Sequence, residues 1–153
     1  MANIEKSITV DVPVHAAYDQ WTQFESFPEF MDGVKEVRQM DDRRLHWKAE
    51  IAGKDEEWDA EITEQVPDQK IAWRSTSGAP NAGMVMFQPL SGNSTEVKLQ
   101  LEAEPQTATE KTGAAIGILD RQVKSDLKKF KEFIESRGGQ PTGAWRGDIN
   151  RNS

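Results

Sequence analysis

Between Ile4 and Val12 the chain alternates, with Ile8, Val10 and Val12 two apart on one side. That period predicts a half-buried strand. Pro13 ends it, since proline has no N–H for the ladder but suits the first turn of a helix. Val14, Ala17, Tyr18 and Trp21 then recur at helical spacing, and Phe24, Phe27, Phe30 and Met31 form a second apolar group broken by Pro28. A proline inside such a run ends or kinks the helix, so two short helices meeting at an angle are expected.

From Gly33 the period becomes two and holds for about seventy residues. Leu45, Trp47, Ala49 and Ile51 face one way, while Arg44, His46, Lys48 and Glu50 face the other. Trp58, Ala60 and Ile62 alternate with Asp59, Glu61 and Thr63, and Ile71, Trp73 and Ser75 with Ala72, Arg74 and Thr76. Val85 and Phe87 follow, then Val97, Leu99, Leu101 and Ala103. Turns are marked by Gly53, by Val66-Pro67-Asp68, by a Gly/Pro/Asn loop from Ser77 to Gly83, and by Ser91-Gly92-Asn93. Short strands joined by brief turns predict an antiparallel meander with one apolar and one charged face.

The final pattern is helical. Thr107 and Glu110 have capping-box spacing, and Ile116, Leu119, Val123, Leu127, Phe130 and Ile134 then form an unbroken stripe. Lys128, Lys129, Lys131 and Arg137 crowd its C-terminal half, where they suit the helix dipole, and Gly138-Gly139 ends it. A helix of about 28 residues is about 42 Å long, enough to lie across a whole sheet. Residues 1–137 thus read as one domain, and 138–153 as a flexible Gly-rich tail.

Composition narrows the chemistry. The 153 residues carry 19 basic and 26 acidic side chains, a net charge of −7, which argues against a nucleic-acid partner. With no cysteine, disulfides, thiol nucleophiles and cysteine-ligated metals are excluded. His15 and His46, one in the first helix and one on the charged strand face, have neither an adjacent nucleophile nor metal-ligand spacing. No phosphate-binding or dinucleotide fingerprint is present, so neither metal nor cofactor is expected. No stretch reaches the ~20 apolar residues of a membrane span, and Met1–Val12 lacks the apolar core of a signal peptide. A soluble, cytoplasmic protein is expected.

Asp11-Val12-Pro13 through Trp21, Phe27-Pro28 with Phe30-Met31, Leu45-His46-Trp47, Trp58 through Glu64, Pro67-Asp68, Ile71 through Ser75 and Phe87 with Pro89-Leu90 carry a resemblance. Together with the late helix they resemble the polyketide cyclase/dehydrase family of the START-like, Bet v 1-like superfamily, over roughly residues 3–137. The resemblance implies an α+β, helix-grip fold: a curved antiparallel sheet of about seven strands wrapped around the C-terminal helix, with a deep apolar cavity between. Such proteins bind or process hydrophobic small molecules, among them polyketide intermediates, quinones, sterols and other lipids. Where the aromatase/cyclase members carry a strand arginine before the Val-Pro-Asp turn, this chain has Gln65. Arg74 has the opposite parity to Trp73, so a regular strand sends it outward.

Trp47, Trp58 and Trp73 share parity with the aliphatic residues of their strands, so they face the helix, where they either fill the core or line a cavity. Ile62, Phe87 and Leu99 share that face, Ser75 adds an inward hydroxyl, and Tyr18 is the only phenol. Gly113 and Gly117 either open room for a ligand or mark a loose first turn. These residues are the expected cavity lining. Two functions follow: binding of a hydrophobic small molecule (lipid, quinone or polyketide-like), or an aromatase/cyclase/dehydrase acting by substrate positioning. They separate on inward polar groups. A cyclase needs an acid/base group or oxyanion donor on the cavity wall, and a carrier needs only shape and apolar surface.

Overall fold

The alternating stretches all become strands. The computed structural model describes residues 2–31, 33–51, 54–78, 81–103 and 113–142. Its strands are β1 (Ala2–Val10), β2 (Val34–Gln39), β3 (Arg44–Ile51), β4 (Lys54–Val66), β5 (Lys70–Gly78), β6 (Asn81–Ser91) and β7 (Ser94–Ala103). They form one sheet in the order β1-β7-β6-β5-β4-β3-β2, every neighbouring pair antiparallel. Between β1 and β2, α1 (Val14–Trp21) and a 3-10 helix (Phe24–Glu29) carry the chain from one edge of the sheet to the other. Pro28 stands inside the 3-10 helix.

The register sets the inner face. Trp47 lies opposite Trp58, Ile62 opposite Trp73, Val85 opposite both Ile71 and Leu99, and Ile4 opposite Leu101. Directly opposed residues share a face. Lys6, opposite Leu99, is on the same side, and its ammonium lies 3.2 Å from Asp120 of the long helix. Two register shifts break the β4–β5 pairing: Thr76 is the extra residue on β5 opposite Asp59 and Ala60, and Thr63 is the extra residue on β4 between Ile62 and Glu64, where it bends that strand. Past the second shift the parity changes, which turns Gln65 inward opposite Ile71, where it is fully buried.

The last element, α2 (Gly113–Ser136), has 24 residues and is about 36 Å long at 1.5 Å per residue. Its stripe residues Val123, Leu127, Phe130 and Ile134 are buried against the sheet. The capping box at Thr107–Glu110 and the side chains of Ile116 and Leu119 lie outside the described residues. Two interactions tie the C-terminal half of α2 to β1: Lys131 Nζ donates to Thr9 O, and Asp11 N–H donates to Glu135 Oε2. Gly138 and Gly139 take φ of 68° and 78°, and the Gly139 N–H bonds Ile134 O. Left-handed backbone of that kind closes a helix end.

One expectation is corrected. The loop expected over Ser77–Gly83 is mostly sheet, because β5 runs to Gly78 and β6 starts at Asn81. The tail is held in its first residues: Thr142 N–H donates to Gln20 Oε1, and Gln20 Nε2 donates to Thr142 Oγ1. That amide is wholly buried on α1, so it fixes the chain where it leaves α2. Residues beyond 142 lie outside the described ones.

Candidate functional site

Sheet and helix do not close completely. Trp47, Trp58 and Trp73 from β3, β4 and β5, Leu99 and Leu101 from β7, Phe24 and Phe27 from the 3-10 helix, and Val123 and Leu127 from α2 surround a cavity of ≈130 Å³. Drug-sized ligand sites are usually about 300–1,000 Å³, whereas a dry cavity of about 150 Å³ admits benzene. The space holds one ring, and the tryptophans fill most of the rest.

Three polar side chains interrupt the apolar wall: Asn81 at the start of β6, and Gln122 and Asp126 on α2. Gln122 and Asp126 are four apart and so share a helix face. Gln122 Nε2 donates to Glu50 O at 2.9 Å. It reaches that carbonyl by crossing Gly33, where a Cβ would coincide with the Gln122 amide. Gly33 is thus required for close approach, and the Gln122 hydrogen bond latches α2 to the end of β3.

The cavity's third wall is unusual. Trp47 and Trp58, cross-strand partners, stack with ring centroids 5.7 Å apart and planes 8° from parallel. They are 9% and 8% exposed. Neither indole nitrogen meets an acceptor among the described residues. An unmatched buried donor costs about 1–3 kcal/mol, and such groups are few in native proteins. Trp73 is held differently, its six-membered ring lying over Gly83, where a Cβ would overlap it.

Of the residues picked out in the sequence, Trp47, Trp58, Ile62, Trp73 and Leu99 are on the cavity wall. Tyr18 and Phe87 are buried in the adjoining core, edge to face with centroids 5.6 Å apart. Ser75 Oγ accepts the backbone N–H of Asn81 at 3.0 Å, at the point where β5 and β6 stop pairing. Gly113 opens α2, but its surroundings lie outside the described residues. A Cβ on Gly117 would meet only the Arg121 guanidinium, at 3.9 Å. Arg74 points outward and is exposed, opposite Glu61.

The sequence reading passed over Asn81, Gln122 and Asp126. The signal available was position: Gln122 and Asp126 each precede a stripe residue, Val123 and Leu127.

The outer face carries the sheet's charges. There His46 donates from Nδ1 to Asp59 and from Nε2 to Glu57, both at 2.6 Å. Hydrogen bonds to the two carboxylates, Asp59 foremost, raise the imidazole pKa above its usual 6.5. No group of three or more acidic or histidine side chains suited to a metal ion occurs among the described residues. No helix among them is long and apolar enough to cross a membrane.

Comparison with known proteins gives this arrangement its context. An uncharacterized 17.2 kDa protein from the melC2-rnhH intergenic region of Streptomyces lincolnensis is 50% identical over 150 residues, 97% of this chain and 99% of that one. A solved structure from Deinococcus radiodurans is 27% identical, with a TM-score of 0.69 over 90% of this chain and 99% of the other. The Zhui aromatase/cyclase from a Streptomyces species shares the fold at 13% identity, with a TM-score of 0.74 over 90% and 95% of the two chains. These likenesses bear out the helix-grip architecture. The sequence profile of one family matches residues 10–132, four-fifths of the chain: the protein belongs to the polyketide cyclase/dehydrase and lipid transport family.

Proposed function

We propose that the protein binds a hydrophobic, unsaturated small molecule between α2 and the β3–β5 face of the sheet. The observation that carries this reading is the apolar pocket walled by Trp47, Trp58 and Trp73, at the place where a helix-grip fold parts from its helix. Cores otherwise pack to crystal density with few voids larger than a water. The family's description, which includes lipid transport, supports the same reading. Its net charge of −7 supports assigning it no nucleic-acid partner, and we propose the cytoplasm as its site of action.

Native mass spectrometry of protein purified from its own host, with calorimetric titration of indane as a one-site probe, tests the proposal. A co-purifying small molecule lost on denaturation, or saturable indane binding, is the expected result. A clean apo mass together with no indane binding overturns it.

One observation favours the second reading, a cyclase or dehydrase. Asp126 puts a carboxylate on the wall of an apolar cavity, where it is placed to take a proton from carbon next to a ligand carbonyl. The enolate carbon so formed would attack a second carbonyl of the same chain, closing a ring. Asp126→Asn separates the readings: in an enzyme it abolishes turnover of a poly-carbonyl substrate while indane affinity persists, and in a carrier there is no turnover to lose.

A further inference from the structure

We propose that the stacked Trp47–Trp58 pair is a movable inner wall of the cavity. In this inference the two rings part to admit the ligand, and their indole N–H groups then donate to an oxygen on it. The cavity would accordingly prefer flat, unsaturated molecules bearing a carbonyl-type oxygen over hydrocarbons of the same shape. The inference rests on the cavity reading above and goes further by naming the chemistry that the site selects.

The first step is volume. A space of ≈130 Å³ accepts a single ring, so a larger ligand either projects through the mouth of the pocket or needs a wall to move. Most walls are tied. Trp21 is wedged edge to face against Phe27, Phe87 and Phe130. The helix is fastened by Gln122 to Glu50 O and by Asp120 to Lys6. Trp73 lies across Gly83.

Trp47 also meets Phe27, with centroids 5.7 Å apart and planes tilted by 51°, but Trp47 and Trp58 differ from the other walls in their donors. Neither indole N–H has an acceptor among the described residues in the closed arrangement, so an arrangement that supplies one recovers what packing withheld. They stack on each other, from directly opposed positions of β3 and β4, so a ligand that separates them meets both rings.

The second step is donor chemistry. An indole N–H donates and cannot accept. A plain hydrocarbon entering beside these rings leaves both donors unmatched, whereas a ketone or quinone oxygen satisfies one or both. A ligand that must first open the wall binds more weakly by the fraction of time the wall is open. The hydrogen bonds therefore weigh most for ligands too large for the closed space.

The test uses indane and 1-indanone, which share a ring skeleton and differ by one carbonyl oxygen. Their affinities are measured by calorimetry on wild type, Trp47→Phe and Trp58→Phe, while the indole N–H signals of ¹⁵N-labelled protein are followed by NMR. We expect 1-indanone to bind roughly tenfold tighter than indane to the wild type, about the worth of one hydrogen bond. Two of the five tryptophan indole signals should move downfield, and each should be missing from one phenylalanine variant. In those variants the ratio of 1-indanone to indane affinity should fall toward one, whatever each substitution does to indane binding itself.

Equal wild-type affinities overturn this inference and leave the cavity reading standing. Binding of neither compound overturns both. Indole protons that show contacts to bound water and do not move with 1-indanone also overturn the inference. Should a phenylalanine variant fail to fold, the wild-type affinity ratio and indole shifts decide it alone.

Discussion

Two aromatic regions lie side by side under α2, and they have been finished differently. Around α1 and the 3-10 helix, Trp21, Phe24, Phe27, Phe30 and Phe130 form a continuous edge-to-face network with centroids 4.9–5.7 Å apart. Polar groups there are matched: Thr22 Oγ1 donates to Asp19 O, Gln20 clasps Thr142, and Thr95 Oγ1 donates to Val12 O. Around β3–β5, an aromatic wall leaves a void and two indole donors without acceptors among the described residues. Trp21, Phe24 and Phe27 border both regions. Aromatic content does not separate the two regions; the unmatched indole donors do, and on the proposed reading they await a ligand.

The sharpest test is to truncate one ring on each side. Phe130→Ala removes a fully buried ring that meets Trp21 and Phe30, and should lower unfolding stability in urea by about 3–5 kcal/mol. Trp58→Phe removes an unmatched donor along with some volume, and should stay within about 1.5 kcal/mol of wild type. Comparable losses at the two positions would mean that the void is ordinary packing.

Much of this contrast's framework was legible in the sequence. Period-two alternation placed Trp47, Trp58, Ile62, Trp73 and Leu99 on one face, because parity alone decides which side of a regular strand a residue takes. The stripe Val123, Leu127, Phe130 and Ile134 likewise followed from helical period. What escaped depended on departures from regularity or on distance along the chain. Gln65 turned inward because of a bulge, and a bulge has no fixed sequence signature. Tyr18 and Phe87 went into the core because α1 closes over that end of the sheet, a matter of tertiary packing. Asp126 and Gln122 sit at the margin of the apolar stripe, and whether a marginal residue meets solvent or a cavity depends on how far the sheet bends.

A smaller effect is expected from filling space on the hollow side. In Gly83→Ala the new Cβ would overlap the Trp73 ring and push it toward the cavity. Strain of that kind costs about 1–3 kcal/mol, and indane binding should be lost along with it. Denaturation and calorimetry on the same sample would show both. A stability loss with indane affinity intact would mean that Trp73 yields outward, away from the site.

On the packed side, Gln20→Ala leaves the Thr142 N–H without its acceptor and should cost about 1–2 kcal/mol. It should also speed proteolytic cleavage after Ser136, because the amide is what holds the chain there. If neither changes, the matched polar groups of the packed side are incidental to its closure.

The smallest effect belongs to the outer face, which serves as a control on both regions. His46 is held between Asp59 and Glu57, and its pKa in the folded protein lies above the unfolded value near 6.5. A raised pKa means that the folded state binds the proton more tightly, so the stabilisation is fully present below about 6.5 and is lost as pH rises through the folded value. Asp59 is shifted the other way, lowered chiefly by its hydrogen bond to His46. Its contribution is present above the unfolded carboxylate value and is lost as pH falls through the lowered one. The cluster therefore stabilises most between the two, and His46→Gln should remove about 1 kcal/mol or less there, since the carboxylates are solvated. Urea midpoints measured across pH, with an NMR titration of the His46 ring, check both sign and size. Indane affinity should not follow the same titration. Were it to do so, the outer face and the cavity would be coupled through β3 and β4, and Trp47 and Trp58, one residue away from His46 and Asp59 on those strands, would be the link.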